Sequence, residues 1–459
     1  MIELSVSEVA HAVGGRVQGQ ADRRIDGVTT DSRQVPAGAP MFVALPGQHA
    51  DGHDHAAEAV AAGAVAVLAR RPLSGVEVPV VLVDDPWQAI TQLAAAVRAY
   101  VQPTSVAVTG SVGKTTVKDL TAAAVGSQRR VHAAAGSFNN ELGVPLTLLG
   151  LREDTQVLVA EIGARHVGDI ASLAPHLAPD VAIVTAVAAV HLEVFGTIDD
   201  VARGKRELVE ALGPGGLAVL NVADPRVAAM AEAAPAVLRV AADDPAADVH
   251  ARDIRLDGYA RARAVAVTPW GHTEVRLPVA GRHHVTNALL ALAVAGHLGI
   301  DVVAAAAAIE QARVSPWRGE VFVTRGITVL NDAYNANPLA TRAALETLVA
   351  VERSGQAIAV LGVMAEIGPT SVEEHLHVGE ACVQLGVDRV IAVGPDAAAI
   401  AEGARRAGAT DATTVPDASA AEATLAATLS AGDVVLVKGS RVAGLEAVAA
   451  GIAAGRIGS

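Results

Sequence analysis

The chain has 459 residues and a formal net charge of −14. This length is too great for one compact core and predicts roughly two to four domains of ~100–200 residues each. The acidic balance argues against nucleic acid as the main partner, because phosphate backbones select basic surfaces. Any anionic ligand must therefore be held by local clusters of residues.

The composition narrows the class of protein further. Hydrophobic residues make up 51% of the chain and aromatic residues 2%, which is typical of buried parallel sheets with helical crossovers. No uncharged apolar run reaches the ~18–20 residues that a spanning helix needs, and the N-terminus lacks the basic and apolar regions of a signal peptide. The single Cys382 excludes an internal disulfide and a Cys-based zinc site. We therefore expect a cytoplasmic protein with no membrane insertion.

Taken in order, the elements predict three α/β domains, over residues 1–98, 99–314 and 315–459. The first mixes short apolar runs with Pro and Gly, which indicates loops around a small sheet. In the second, buried-strand runs alternate with helical stretches; the strand runs are "SVAVTG", "QVLVAEIG", "DVAIVTAVAAVH" and "GLAVLNVAD". After the "SPWRGE" turn the alternation continues with "GITVLND", "AIAVLGVM", "RVIAVG" and "DVVLVKG", which predicts another α/β unit.

The stretch "VAVTGSVGKTTVKDL", from Val106 to Leu120, has the pattern of a phosphate-binding loop between a strand and a helix. Gly110 and Gly113 allow a tight turn and close approach of the backbone to an anion. Lys114 would reach the outer phosphates of a nucleotide, and the Thr115 hydroxyl would bind Mg²⁺. The loop is short, because Val108 stands where the full motif has a further Gly. The alternative is a chance Gly-Lys-Thr in a strand–helix turn.

Two residues near the ends of later strand runs are candidate metal ligands. Glu161 ends "VLVAE", and His191 follows "VAIVTAVAAV". Open α/β sheets bind ligands beyond the carboxyl ends of their strands, so these side chains suit a magnesium–nucleotide site. Alternatively, Glu161 is a solvated acid at a strand end, and His191 is a structural histidine.

Lys205 lies in the helical run "TIDDVARGKRELVEALG", for which Thr197 is a predicted N-cap. A lysine in such a helix is usually a solvated charge that pairs with nearby acids, here Glu207 and Glu210. Spacing alone favours that interpretation.

The loop "TGSVGKTT" resembles that of the Mur ligases and their folylpolyglutamate synthetase relatives, in which a GxxGK[ST] core suffices. Further runs resemble the Mur ligases in order from about residue 29 to 446: "TTDSRQVPAGAPMFVALPGQHADGHDH", "GSFNNELGVPLTLL", "EIGARHVGDIASL", "HLEVFGTIDDVARGKRELV", "NDAYNANPLATRAALETL", "EIGPTSVEEHLHVGE" and "LVKGSR". The resemblance implies a three-domain Mur ligase architecture, with a small mixed α/β N-terminal domain, a central P-loop ATPase-like domain and a C-terminal Rossmann-like domain.

The resemblance also implies roles for individual positions. The implied ATP-binding residues are Gly110, Ser111, Val112, Gly113, Lys114, Thr115, Thr116, Asn287 (adenine), Arg318 (terminal phosphate) and Asp332 (ribose). The implied magnesium ligands are Thr115, Glu161, His191 and Lys205, the last as a carbamate, and the implied catalytic residues are Lys114, His191, Lys205 and Arg318. The implied substrate-binding residues are Ser32 and Arg33 (UDP portion), Asn139, Asn140, Asn335 and Asn337.

The chain departs from the family pattern at two places. Asn331 precedes Asp332 where two acids are expected, so the ribose contact is retained. Val363 in "GVMAEIG" replaces an acidic residue, which removes a polar contact expected near the hinge of the third domain.

The activity that the resemblance implies is an ATP-dependent ligation through an acyl phosphate, with ATP and Mg²⁺ as cofactors. The runs resemble most the family members that join D-alanyl-D-alanine to UDP-N-acetylmuramoyl-tripeptide, which implies these two substrates. We expect the protein to be a monomer. One alternative is the ligase that adds the third amino acid, although its Asp-Asn-Pro-Arg run is replaced here by "NANP". The others are a folylpolyglutamate synthetase, which lacks the first domain, and a P-loop switch, which needs neither Glu161, His191 nor Lys205.

Overall fold

The computed structural model describes residues 1–47 and 50–457, so Gln48 and His49 of the N-terminal run and the last two residues of the predicted third domain lie outside the described residues. The chain divides into two compact units. The first unit comprises Met1–Ala107, Arg129–Gly163 and Ala171–Asp180, and the second comprises Val108–Gln128, Ala164–Ile170 and Val181–Ser459. The predicted domain boundaries at 98 and 314 stay predictions.

The first unit contains mostly short strands: β1 Leu4–Ser5, β2 Arg16–Gln18, β3 Arg24–Ile25, β4 Gly27–Thr29, β5 Pro40–Val43, β6 Ala66–Ala69, β7 Val80–Leu82, β8 Thr104–Thr109 (which crosses into the second unit), β9 Val131–Ala133 and β10 Val157–Glu161. Its helices are α1 Val6–Ala12, α2 Ala56–Ala61, α3 Pro86–Val101, α5 Gly143–Leu149 and α6 Asp169–Leu177, and α6 also crosses the division between the units. The helix α4 belongs to the second unit.

A five-stranded sheet in the order β2-β7-β6-β5-β4 organises the N-terminal part of the first unit. Only β2 is antiparallel to its neighbour, and the other pairs are parallel. The central strands β5 and β6 are buried along their whole length, because helices and loops cover both faces of a parallel sheet. This agrees with the small sheet predicted from the sequence.

The second unit contains the remaining strands: β11 Val181–Val184, β12 Leu217–Asn221, β13 Ala236–Val240, β14 His250–Leu256, β15 Arg261–Thr268, β16 Gly271–Ala280, β17 Glu320–Thr324, β18 Ile327–Asp332, β19 Ala357–Gly362, β20 Arg389–Val393, β21 Ala412–Val415 and β22 Val434–Lys438. Its helices are α4 Lys114–Gly126, α7 Leu192–Phe195, α8 Ile198–Glu210, α9 Pro225–Ala228, α10 His284–His297, α11 Val302–Glu310, α12 Pro338–Ala350, α13 Ser371–Leu385, α14 Ala398–Arg406, α15 Ala418–Thr428 and α16 Glu446–Ala453. No helix among the described residues is long and apolar enough to cross a membrane.

Three groups of strands build the second unit. The strands β11, β12 and β13 are parallel neighbours, and β14, β15 and β16 form an antiparallel sheet. A six-stranded sheet follows in the order β17-β18-β22-β19-β20-β21, in which only β17 is antiparallel. The strands β19 and β22 are fully buried. Their continuous apolar runs are typical of parallel sheets that are covered on both faces.

Candidate functional site

The loop between β8 and α4 turns tightly at two glycines. Gly110 has φ +144° and Gly113 has φ +81°, which an L side chain rarely adopts. A Cβ at Gly110 would overlap the Thr185 side-chain oxygen. The Lys114 ammonium donates to the Gly110 carbonyl over 2.8 Å, and α4 begins at Lys114. The loop therefore presents the N-terminus of a helix, as an anion site requires.

Hydrogen bonds to the segment after β11 hold this loop in place. The Ser111 backbone N–H donates to the Ala186 carbonyl over 2.8 Å. The Ser111 hydroxyl donates to the Ala188 carbonyl over 3.1 Å and lies 2.9 Å from the Ala188 nitrogen. Thr185 donates from its hydroxyl to the Val112 carbonyl over 2.5 Å. These hydrogen bonds thus fix the loop against the segment after β11.

Asn287 on α10 lies against the loop. Its Oδ1 would be 3.1 Å from a Cβ placed on Gly113. The Asn287 side chain is buried and makes a 3.0 Å hydrogen bond between its Nδ2 and Nδ1 of His284, one turn earlier on α10. The structure therefore brings Asn287 next to the loop, and both were predicted to contact ATP.

Lys205 is buried on α8, whose predicted N-cap Thr197 accepts from the Asp200 N–H over 3.1 Å. Only 2% of Lys205 is exposed. Its Nζ lies 3.4 Å from the Ala164 carbonyl oxygen and 5.5 Å from the centre of the Phe195 ring. Burial, with a smaller contribution from the charge of Lys114, lowers the pKa of Lys205 to about 7. The interpretation of Lys205 as a solvated charge is therefore wrong.

His191 lies seven residues after the end of β11, at the start of α7, with a left-handed backbone (φ +53°). Its Nδ1 makes a short hydrogen bond to Oε2 of Glu366. The other oxygen of this carboxylate accepts from Arg165 over 3.1 Å. Burial lowers the pKa of His191, and the Glu366 carboxylate opposes that shift.

Asp332 is the last residue of β18, and both of its carboxylate oxygens have partners. Oδ1 accepts from the Gly319 N–H over 3.2 Å, and Oδ2 accepts from the Lys438 ammonium over 2.5 Å. Lys438 is buried and also donates to the Asn335 carbonyl over 2.9 Å. Asp332 therefore joins the end of the 315–319 turn to the carboxyl ends of β18 and β22.

The other residues predicted near Asp332 have local contacts. The Arg318 guanidinium lies 3.9 Å above the Tyr334 ring, as in a cation–π contact. The Asn337 side chain caps α12 by accepting from the Ala340 N–H over 2.9 Å. Asn335 makes a local contact in which its Oδ1 accepts from the next residue's N–H over 2.9 Å.

Two adjacent histidines, His283 and His284, line a small cavity together with Asp332, Gly319 and Thr347. Their ring centres are 4.1 Å apart. His284 is buried, and burial lowers its pKa well below the usual value. The His284 ring is therefore neutral at neutral pH.

The first unit carries the remaining predicted site residues near β10. Glu161 ends β10 and is 1% exposed. Its Oε1 accepts from the Asn139 amide over 2.6 Å. Asn140 accepts from the Gly143 N–H over 2.9 Å at the start of α5. Glu161 is therefore not a solvated acid.

Ser32 and Arg33 lie in the loop after β4. The Ser32 hydroxyl donates to Glu58 over 2.9 Å. The Arg33 side chain is exposed and forms a two-point ion pair with Asp31, at 2.9 and 3.0 Å. Hydrogen bonds from Arg33 lower the pKa of Asp31 to about 2.

The predicted magnesium ligands suit that ion chemically. Thr115, Glu161 and a carbamate on Lys205 would supply oxygens, and His191 would supply one nitrogen. Mg²⁺ usually keeps several waters and binds one or two carboxylates plus substrate phosphates. Within residues 1–47 and 50–457, no three His, Cys, Asp or Glu side chains form a metal cage of their own.

Comparison with known families and proteins decides the classification. The family descriptions that match are "Mur ligase family, catalytic domain" over residues 24–98, "Mur ligase middle domain" over 108–295 and "Mur ligase, glutamate ligase domain" over 317–441. A UDP-N-acetylmuramoyl-tripeptide–D-alanyl-D-alanine ligase of Mycobacterium bovis is 43% identical over 98% of this chain and 97% of its own length. The chain belongs to the Mur ligase family.

Solved structures of Mur ligases agree in fold. A crystal structure of MurF from Acinetobacter baumannii superposes with a TM-score of 0.87 at 31% identity, covering 98% of both chains. MurF ligase from Thermotoga maritima, solved in complex with ADP, has a TM-score of 0.80 at 28% identity, covering 92% of this chain and 96% of that one. The predicted three-domain Mur ligase architecture is confirmed.

Sequence reasoning missed two residues of this Mur ligase site. Glu366 and Lys438 contact the predicted site residues His191 and Asp332. Lys438 ends the buried run "VVLVK", a position that favours ligand contacts in parallel sheets. No sequence pattern pairs Glu366 with a histidine that is 175 positions away.

Proposed function

We propose that the chain joins D-alanyl-D-alanine to UDP-N-acetylmuramoyl-tripeptide at the expense of ATP, and so supplies a pentapeptide precursor for peptidoglycan synthesis. The observation that carries this proposal is the 43% identity, over nearly the full length of both chains, to a ligase named for these two substrates. The preformed loop at the start of α4 supports the use of ATP.

We propose that the ATP phosphates lie at this loop. The N-terminus of α4 provides a partial positive charge, and Lys114 provides a full one. Asn287 borders the loop and would contact the adenine. Arg318 and Asp332 would contact the terminal phosphate and the ribose.

Mg²⁺ would be held by the Thr115 hydroxyl, Glu161, His191 and the modified Lys205, together with nucleotide phosphates. When bound, it neutralises the negative charge of the phosphates. The buried positions of Thr115 and Glu161 support this proposal, because a carboxylate in a shielded site interacts strongly with a cation.

The low pKa of Lys205 supports its modification by CO₂. The neutral amine would form a bond from Nζ to the carbon of CO₂ and release one proton, which leaves a carbamate anion. A pKa of about 7 makes roughly half of the unmodified amine neutral at pH 7. The carbamate would also remove the repulsion between the Lys205 and Lys114 ammonium groups.

The reaction needs no covalent bond to the enzyme. The terminal carboxylate of the tripeptide attacks the γ-phosphorus of ATP, which gives an acyl phosphate and ADP. The neutral amine of D-alanyl-D-alanine then attacks the acyl carbon, and phosphate leaves as the amine loses a proton. Lys114 and Arg318 would stabilise charge on the transferred phosphoryl group, which is the main contribution that a protein makes to phosphoryl transfer.

Further proposals concern the substrate contacts and the cellular role of the enzyme. Ser32 and Arg33 would hold the UDP portion, and Asn139, Asn140, Asn335 and Asn337 would line the path of the peptide. Local hydrogen bonds already orient the side chains of Asn139, Asn140 and Asn337. We further propose that the enzyme acts as a cytoplasmic monomer in cell-wall formation and hence in cell division.

Omission of single substrates tests the proposed function. Phosphate release from ATP is measured with Mg²⁺ and UDP-N-acetylmuramoyl-tripeptide, with and without D-alanyl-D-alanine. We expect sustained release only with both substrates, together with the pentapeptide product by mass spectrometry. Turnover with a free diamino acid and the dipeptide form of the nucleotide would instead identify the ligase for the third residue.

A further inference from the structure

One carboxylate connects two turns that lie far apart in the sequence. Oε2 of Glu366, after β19, contacts Nδ1 of His191, and Oε1 accepts from Arg165 over 3.1 Å. The Glu366 carboxylate is therefore fixed at both oxygens while it holds one side of the imidazole.

The backbone at both ends of this contact is strained. His191 has φ +53° and Glu366 has φ +62°, a region that costs non-glycine residues free energy and clusters at functional sites. Gly368 has φ +83°, and a Cβ there would be 3.2 Å from the Glu193 nitrogen. The turn around Glu366 thus packs directly on the turn that carries His191.

The chemistry of the contact determines which imidazole nitrogen carries the proton. An ionised carboxylate can only accept hydrogen bonds, so Nδ1 of His191 must be the donor. In a neutral imidazole the remaining nitrogen, Nε2, then has the free lone pair. Histidines that bind metals commonly donate their other N–H to a carboxylate or carbonyl in this way.

We propose that Glu366 is a positioning residue that fixes the tautomer and orientation of His191, so that Nε2 is available to a divalent cation. Arg165 restrains the carboxylate, and the strained backbones are held by the packing of the two turns. Because Glu366 comes from the predicted third domain, cation binding and the placement of that domain are linked. The inference rests on the role of His191 in the proposed function.

A competing role for Glu366 predicts the opposite result. If the carboxylate only occupied the place of the cation, its removal would strengthen cation binding. If it positions His191, its removal weakens cation binding.

The test measures Mn²⁺ affinity by electron paramagnetic resonance, on the full chain with a non-hydrolysable ATP analogue. We expect Glu366→Ala to weaken Mn²⁺ binding by about 10- to 100-fold. Glu366→Gln keeps an acceptor oxygen and should lose less Mn²⁺ affinity than Glu366→Ala. Glu373→Ala removes an exposed carboxylate at the start of α13 and should change nothing. Unchanged or tighter Mn²⁺ binding by Glu366→Ala would overturn the inference.

A second measurement separates positioning from general damage. Binding of a fluorescent ADP in EDTA should be the same for Glu366→Ala, Glu366→Gln and the unmodified protein, because the nucleotide loop does not depend on Glu366. An equal loss of metal-free nucleotide binding would also overturn the inference. An unmodified protein that binds Mn²⁺ as expected but makes no pentapeptide would refute the proposed function and leave the role of Glu366 standing.

Discussion

The low pKa of Lys205 makes a specific prediction about CO₂. With a pKa of about 7 instead of 10.5, roughly 90% of the unmodified Lys205 amine is neutral at pH 8, against about 0.3% of an ordinary lysine. Burial thus enriches the reactive form by about 300-fold. The chain has four lysines, at positions 114, 118, 205 and 438, so carbon-13 signals from lysine carbamates will be few.

The assay records carbon-13 spectra after equilibration with ¹³C-bicarbonate. We expect one carbamate signal that is strong at pH 8, weakens below pH 7 and is absent from Lys205→Arg. The Met1 amine, whose pKa burial also lowers, can give a second signal that Lys205→Arg retains. Without the carbamate, Lys205→Arg should ligate at least roughly 100-fold more slowly.

A matched control places a lysine at the surface of the same helix. Arg206 is partly exposed and pairs with Glu210, so Arg206→Lys adds an exposed amine one residue from Lys205. This variant should show no additional carbamate signal at pH 8. A carbamate signal that survives in Lys205→Arg with its full intensity, or that ignores pH, would refute the reasoning.

Three further predictions concern stability and reactivity. Gly110→Ala should lower the free energy of unfolding by about 3 kcal/mol or more, through backbone strain and overlap with Thr185. The control Gly408→Ala, at φ +102° in open space, should lower the free energy of unfolding clearly less in the same denaturant titration. An equal loss of stability in both variants would contradict the overlap. Because burial lowers the pKa of His284 well below its usual value, the unfolded chain binds a proton below pH 6.5 that the folded chain excludes. The free energy of unfolding should therefore fall as the pH drops below about 6.5; a His284→Gln variant with an unchanged pH dependence would count against it. Burial raises the pKa of the Cys382 thiol to about 12, so a thiol reagent at pH 8 should modify the protein only after denaturation, and rapid labelling of the native protein would disprove this.

Six strands of the second unit were predictable because their apolar runs are continuous, namely β11, β12, β18, β19, β20 and β22; the sequence analysis did not predict β13 to β17 or β21. The runs containing β19 and β22 correspond to observed buried strands. The run "DVAIVTAVAAVH" is a partial exception, since β11 ends at Val184. The residues after Val184 do not extend the strand but make other hydrogen bonds. Ala186 and Ala188 bond to Ser111 of the phosphate loop, and the Val187 N–H donates to Asp224 over 2.7 Å.

The candidate site was predictable only where one short segment contains the whole sequence motif. In the loop from Gly110 to Thr115, the spacing of the two glycines before Lys-Thr predicts a tight turn at the start of a helix. The geometry of this loop could therefore be expected. The burial of Lys205 could not, because a polar helix face predicts solvent contact for it. The Asp332–Lys438 ion pair joins residues 106 positions apart, and only the order of strands in the sheet brings them together.

Isotope transfer tests the central claim, ligation through an acyl phosphate, most directly. UDP-N-acetylmuramoyl-tripeptide labelled with ¹⁸O in its terminal carboxylate is incubated with ATP, Mg²⁺ and D-alanyl-D-alanine, and both products are analysed by mass spectrometry. We predict one ¹⁸O atom in the released phosphate for each pentapeptide formed. Phosphate without ¹⁸O, or phosphate release without the pentapeptide, would contradict the account.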